Sequence, residues 1–215
     1  MVTTRIVRMA ISLEDIKTGQ TMTTYKLEKT ATQLHLTSPY NPDFIASAKA
    51  DLGAKWDGQC WCFDIRDEAA ALKLVERYYG WKSGMPLVSV CVRFNEGRNY
   101  ARSPCVLLGR VIASATGRDS GAKLGDGVRL QAGDGATSGG SAKNWTTIIA
   151  EGSEFIVHDV PMQMAQDHVD GKRQSRNVVV EVVSAAVPAA SDPAALTQER
   201  AALVARIAEI DVLLN

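Results

Sequence analysis

The chain has 215 residues, 46% of them hydrophobic and 22% charged, which is enough apolar content for a buried core and enough length for two small domains of roughly 100 residues each. Its 24 basic and 24 acidic residues cancel, which excludes a protein that holds nucleic acid by bulk positive charge and leaves only local patches for that purpose. No apolar run reaches the roughly 18 residues of a membrane span, and Met1 to Ser12 lacks the apolar centre of a secretory signal, so the expectation is a cytoplasmic protein with no membrane partner.

Residues 1–30 are Thr-rich and weakly patterned and are read as a weakly structured N-terminal segment. A first module is expected over 31–84. Leu34 and Leu36 alternate with polar neighbours as in a strand, which Ser38-Pro39-Tyr40-Asn41-Pro42 breaks. Asn41 is placed to cap a following helix and Pro42 to occupy its first turn, with Phe44, Ile45, Ala48 and Leu52 on one face. Gly53 ends that helix, Asp57-Gly58 forms a hairpin turn, and Cys60 to Ile65 returns as a strand. Alternation sets Trp61, Phe63 and Ile65 toward the core and Cys60, Cys62 and Asp64 away from it. Asp67 then caps a second helix that runs to Gly80.

Met85-Pro86 opens a β-rich domain over 85–184, with strands expected at Leu87 to Phe94, Val106 to Ala115, Gly127 to Leu130, Trp145 to Ile149, Glu154 to Asp159 and Asn177 to Val183. Met162 to His168 has the composition of one or two helical turns. Residues 185–195 form an Ala/Pro linker. In 196–215, Leu196, Leu203 and Ile210 make one seven-residue series, and Arg200, Ile207 and Leu214 make another. That is a coiled-coil seam, with Leu196, Leu203, Ile207, Ile210 and Leu214 as oligomerisation residues of a homo-oligomer. The fold class expected is therefore α+β: an N-terminal β-α-β-β-α module, a central antiparallel sheet or small barrel, and a C-terminal coiled-coil-like helix.

The motifs of catalysis are spelled poorly. Ser120-Gly121-Ala122-Lys123 has the spacing of serine acylases, but its glycines favour a turn, and no Ser-Asp-Asn element accompanies it. Gly133 to Lys143 has Ser141-Ala142 where a phosphate loop carries Lys-Ser/Thr, so it reads as a flexible hairpin loop. His35, His158 and His168 are widely spaced, and Cys60 and Cys62 have no second pair in sequence, so neither a structural zinc nor any other cofactor is expected. The reading is of a non-enzymatic protein with no catalytic residues.

Charge is distributed more tellingly. Between Arg93 and Arg129 seven basic residues face three acidic ones, and from Leu130 to Asp170 one lysine faces six acidic residues. Exposed loops that combine aromatic and basic groups suit single-strand binding. The candidate nucleic-acid contacts are Lys55, Trp56, Arg98, Tyr100, Arg102, Arg118, Lys123, Lys172, Arg173 and Arg176.

The stretch 36–80, with Pro39-Tyr40-Asn41-Pro42-Asp43-Phe44-Ile45, Leu52-Gly53-Ala54-Lys55-Trp56-Asp57, Trp61-Cys62-Phe63-Asp64 and Tyr79-Gly80, resembles the HARP module of annealing helicases. The resemblance implies recognition of single-stranded or forked DNA. A free-standing module of this kind with a second small domain looks like an accessory protein of a phage or plasmid. The competing expectation is a protein-binding inhibitor or adaptor, for instance an anti-defence protein directed at a host protein complex.

Overall fold

The structure, a computed structural model, describes residues 25–173 and 175–185. Its elements begin with β1 (Lys26–Lys29), β2 (Gln33–Thr37), α1 (Pro42–Leu52), β3 (Lys55–Trp56), β4 (Trp61–Asp64) and α2 (Glu68–Tyr79). They continue with β5 (Leu87–Phe94), β6 (Arg98–Ala101), β7 (Cys105–Leu107), β8 (Arg110–Ala115), β9 (Ala122–Leu124), β10 (Val128–Ala132), β11 (Ala136–Gly140), β12 (Trp145–Ile149), β13 (Glu154–Pro161), α3 (Met162–Val169) and β14 (Val178–Ala185). Fourteen strands against α-helices of 11, 12 and 8 residues correct the α+β expectation: the described chain is mostly β, folded as several antiparallel sheets. No coiled-coil helix is seen among the described residues, and the expected seam of Leu196, Leu203, Ile207, Ile210 and Leu214 lies outside them. Among the described residues, no helix is long and apolar enough to cross a membrane.

The first sheet has the order β1-β2-β4-β3 and is antiparallel throughout. Its alternation decides everything around it. Leu34, Leu36, Trp61 and Phe63 point to one face and are buried with Phe44, Ala48, Ala71, Leu74, Val75 and Tyr79 of the two helices. The Asn41 side chain accepts from the backbone N–H groups of Asp43 and Phe44 at 3.0 and 3.2 Å, so α1 starts where its cap and its proline dictate. Gly53 and Gly80 close α1 and α2 in the left-handed conformation, at φ 58° and 60°. Asp67 does not cap α2 as expected. Asp64 instead accepts from the Arg66 N–H and starts a 3₁₀ turn, Ile65–Asp67, that leads into the helix.

The remaining strands form a sheet of order β10-β13-β5-β14 and two three-stranded sheets, β11-β12-β6 and β7-β8-β9. Val88, Val90, Val92 and Phe94 of β5 fill a second core with Leu108, Ile112, Ile149, Phe155, Val157 and Met164. Two expectations fail here for identifiable reasons. The single strand expected over Val106 to Ala115 is a hairpin, turned by Leu108 and Gly109 at φ 55° and 75°, and the apolar run hides the turn because the Leu108 side chain is itself buried. The Gly-rich loop expected over Gly133 to Lys143 contains β11, paired residue for residue with β12.

The two cores meet at that turn. A Cβ on Gly109 would stand 2.8 Å from the Tyr78 carbonyl oxygen, and the Gly109 carbonyl accepts from Asn41 Nδ2 at 3.2 Å. Asn41 therefore caps a helix of one core and satisfies a carbonyl of the other. Replacing it by alanine should lower the free energy of unfolding by about 2 kcal/mol, roughly half from the cap and half from the abandoned carbonyl, as read from the urea midpoint. Gly109→Ala should cost at least as much, since it forces the Tyr78 backbone away at a positive φ.

Candidate metal centre and aromatic edge

The face of the first sheet opposite its core carries an arrangement that sequence spacing did not suggest. His35 on β2 lies directly across from Cys62 on β4, so their side chains share the outer face. Asp57 and Cys60 bound the loop between β3 and β4, where the Asp57 N–H donates to the Cys60 carbonyl at 3.2 Å. One ligand atom from each of His35, Asp57, Cys60 and Cys62 lies within 4.8 Å of every other.

The polar contacts are ordered. Asp57 Oδ1 accepts from the backbone N–H groups of Gln59 and Cys60, both at 2.8 Å, which fixes the carboxylate to the turn. Its other oxygen, Oδ2, accepts from the Cys60 thiol at 3.2 Å and from the Cys62 thiol at 3.5 Å. His35 Nδ1 stands 3.4 Å from Cys60 Sγ, while its Nε2 meets Gln33 Oε1 at 3.3 Å. The backbone donation of Cys60, then that of Gln59, holds the Asp57 carboxyl well below the usual carboxylate range. Removal from water, then the bond to Asp57, pushes the Cys60 thiol up to about 12, and Cys62 is raised by the same two causes in the same order. Such thiols are poor nucleophiles at neutral pH, which argues against redox or covalent catalysis by either.

The other feature is the sheet edge. β3 has only two residues, and both are exposed. Trp56 is 52% exposed, and its ring centroid lies 5.4 Å from that of Trp61, its cross-strand partner. Lys49, in the last turn of α1, places its Nζ 5.5 Å from the Trp61 ring, a cation–π arrangement. Lys55 projects to the opposite face, across from Cys62.

The other expected nucleic-acid contacts occupy different elements. Arg98 and Tyr100 are half-buried on β6, and Arg102 follows at φ 48°. Arg98 Nη2 donates to the Arg176 carbonyl, which brings those two together. Arg118 is paired with Asp119, and Lys123 is exposed on β9. Lys172 is paired with Asp170, and Arg173 with Asp167 and with the Arg77 carbonyl. Only Lys55 and Trp56 belong to the sheet that carries the His/Asp/Cys cluster. Ser120 spends its hydroxyl on the backbone of its own turn, Thr116 to Gly121.

No protein-family model matches the chain, and neither a curated protein nor a solved structure matches it. The signal that would have found it is Asp57-x-x-Cys60-x-Cys62 across a tight turn, read together with the strand register that delivers His35.

The thiol environment has a measurable consequence. At about pH 8.5 an ordinary thiol is half ionised, whereas Cys60 stays protonated, so its alkylation by iodoacetamide in the presence of a chelator should be far slower than that of a free cysteine. Asp57 carries negative charge and accepts the S–H bond, and both effects favour the neutral thiol. Asp57→Asn should therefore lower the Cys60 and Cys62 pKa values and speed alkylation several-fold, as followed by peptide mass spectrometry, with burial keeping the rate below that of a free cysteine.

Proposed function

We propose that the chain is a non-enzymatic accessory protein that binds single-stranded or forked DNA in the reducing cytoplasm, with the β3 edge as its principal contact. The observation that carries this reading is Trp56: a large aromatic ring left half exposed at the end of a sheet, backed by Trp61, with Lys49 against the Trp61 ring and Lys55 on the other face of the same strand. A base has a π-face whatever its sequence, and stacking on such a ring contributes about 1 to 3 kcal/mol. The neighbouring lysines supply phosphate contacts that a neutral protein has to place locally. The likeness of 36–80 to the HARP module supports the same reading, since it implies a DNA fork as the target. Arg102 and Lys123, exposed on other elements, extend the contact set when a longer strand is bound.

Fluorescently labelled single-stranded, forked and duplex DNA, titrated at low and moderate salt, tests the proposal. Binding should prefer the first two and weaken steeply with salt. Trp56→Ala should weaken it between about 5-fold and 100-fold at every salt concentration. Lys55→Gln should reduce the slope of log affinity against log salt by about 0.7. No binding at low salt would defeat the proposal and favour the protein-binding adaptor.

A further inference from the structure

We propose that His35, Asp57, Cys60 and Cys62 form a zinc site that staples the β3–β4 hairpin to β2. Four ligand atoms around a tetrahedral zinc, at about 2.0 Å for nitrogen and oxygen and about 2.3 Å for sulfur, stand roughly 3.3 to 3.8 Å apart along the six edges of the tetrahedron. Three of those edges are already close to that length: 3.4 Å from Cys60 Sγ to His35 Nδ1, 3.2 Å from Cys60 Sγ to Asp57 Oδ2 and 3.5 Å from Cys62 Sγ to the same oxygen. No remaining edge exceeds 4.8 Å, so side-chain adjustments of about 1 Å close the set.

The surroundings are those that a metal requires. A ligating histidine donates its second ring N–H to an acceptor that fixes its tautomer, and Gln33 Oε1 is at 3.3 Å from His35 Nε2. A ligating carboxylate is held through its other oxygen, and Asp57 Oδ1 accepts two backbone N–H groups. Two sulfurs and one imidazole select zinc over magnesium or calcium, which take oxygen ligands. Two thiolates, one carboxylate and a divalent cation leave one negative charge, and Lys55, across from Cys62 on the same face, lies beside it. Asp57 is exposed and the other three are half-buried, so the ion has direct access from solvent. Binding replaces the two S–H donations to Asp57 by two S–Zn bonds and releases two protons to water.

Zinc binding at this cluster is independent of DNA binding at the β3 edge. The full chain, reduced and stripped of metal with a chelator, is titrated with Zn(II) under native mass spectrometry and with Co(II) under visible absorption. The expected result is one equivalent of zinc and a thiolate-to-cobalt charge-transfer band. Cys60→Ser and Cys62→Ser should each leave about half of the band at saturating cobalt, since one thiolate remains, and weaken zinc binding by more than about 100-fold. Gln33→Ala should weaken it roughly tenfold with the band retained, and Cys91→Ser should change nothing. In the unaltered chain, zinc should protect Cys60 and Cys62 from alkylation and leave the rate at Cys91 unmoved, a readout that needs no variant to fold. Cobalt bound without the band, or zinc bound equally by the Cys60→Ser and Cys62→Ser chains, would each overturn the proposal.

Discussion

The β3–β4 hairpin depends on how Asp57 divides its two carboxylate oxygens. Oδ1 ties the turn by accepting from Gln59 and Cys60, and this contact makes a loop after a two-residue strand hold one shape. Oδ2 is thereby aimed at the two thiols. Without the first set of bonds the second has no fixed origin, and the outer face of the sheet loses the atom shared by both cysteines. The same turn fixes where Trp56 stands, because the pairing of Trp56 with Trp61 begins one residue before Asp57. Aromatic edge and ligand cluster are therefore two outputs of one turn.

A second constraint holds the two cores together. The Leu108–Gly109 turn brings its backbone against Tyr78 and Tyr79 at a distance that only glycine permits, and Asn41 closes the joint by bonding to the Gly109 carbonyl. Next to the turn, Arg110 is 2% exposed and donates from Nη2 to the Asp159 carbonyl at 2.6 Å. Its Nη1 reaches the Asp126 carbonyl at 3.5 Å, so the two arms of the fork tie β8 to β13 and to the Asp126 backbone, while the buried Nε has no partner among the described residues. On the other side of the same joint, a Cβ on Gly80 would stand 3.1 Å from the Met164 side chain. These close approaches seat the end of α2 and the start of α1 directly against the Leu108–Gly109 turn and α3 of the second core.

Where local chemistry decides structure, the sequence was a good guide. The Asn41 cap, the Gly53 and Gly80 stops and the Asp57-Gly58 turn each rest on a residue whose preference is intrinsic. So does β5, whose buried valines alternate with period two. The failures share another cause. β6 and β11 are polar or Gly-rich and β9 has only three residues, so all three are held by their partners rather than by patterns of their own, and the sequence understates the chain's β content. The Leu108 turn was invisible because a leucine at positive φ contradicts its own preference, and burial in the second core outweighs that cost of about 1 to 2 kcal/mol. The ligand cluster failed for a third reason. Sequence spacing separates His35 from Cys62, and only the antiparallel register makes them cross-strand neighbours.

That register also explains why a small sheet would carry chemistry on its outer face. Period-two alternation sends Trp61 and Phe63 inward and leaves Cys62 outward, flanked on one side by His35 and on the other by Lys55. The inner face is secured by two helices, whereas the edge strand β3 has two residues and one neighbour, too little pairing to hold a hairpin by backbone bonds alone. A cross-link from this edge to the middle of the sheet would hold Trp56 in place. Polar bonds to water-exposed partners each contribute only about 1 kcal/mol, while a metal bridging β2, the turn and β4 contributes several times that. On the outer face such a bridge fits without disturbing the core, and among the described residues it is where the four ligand atoms converge.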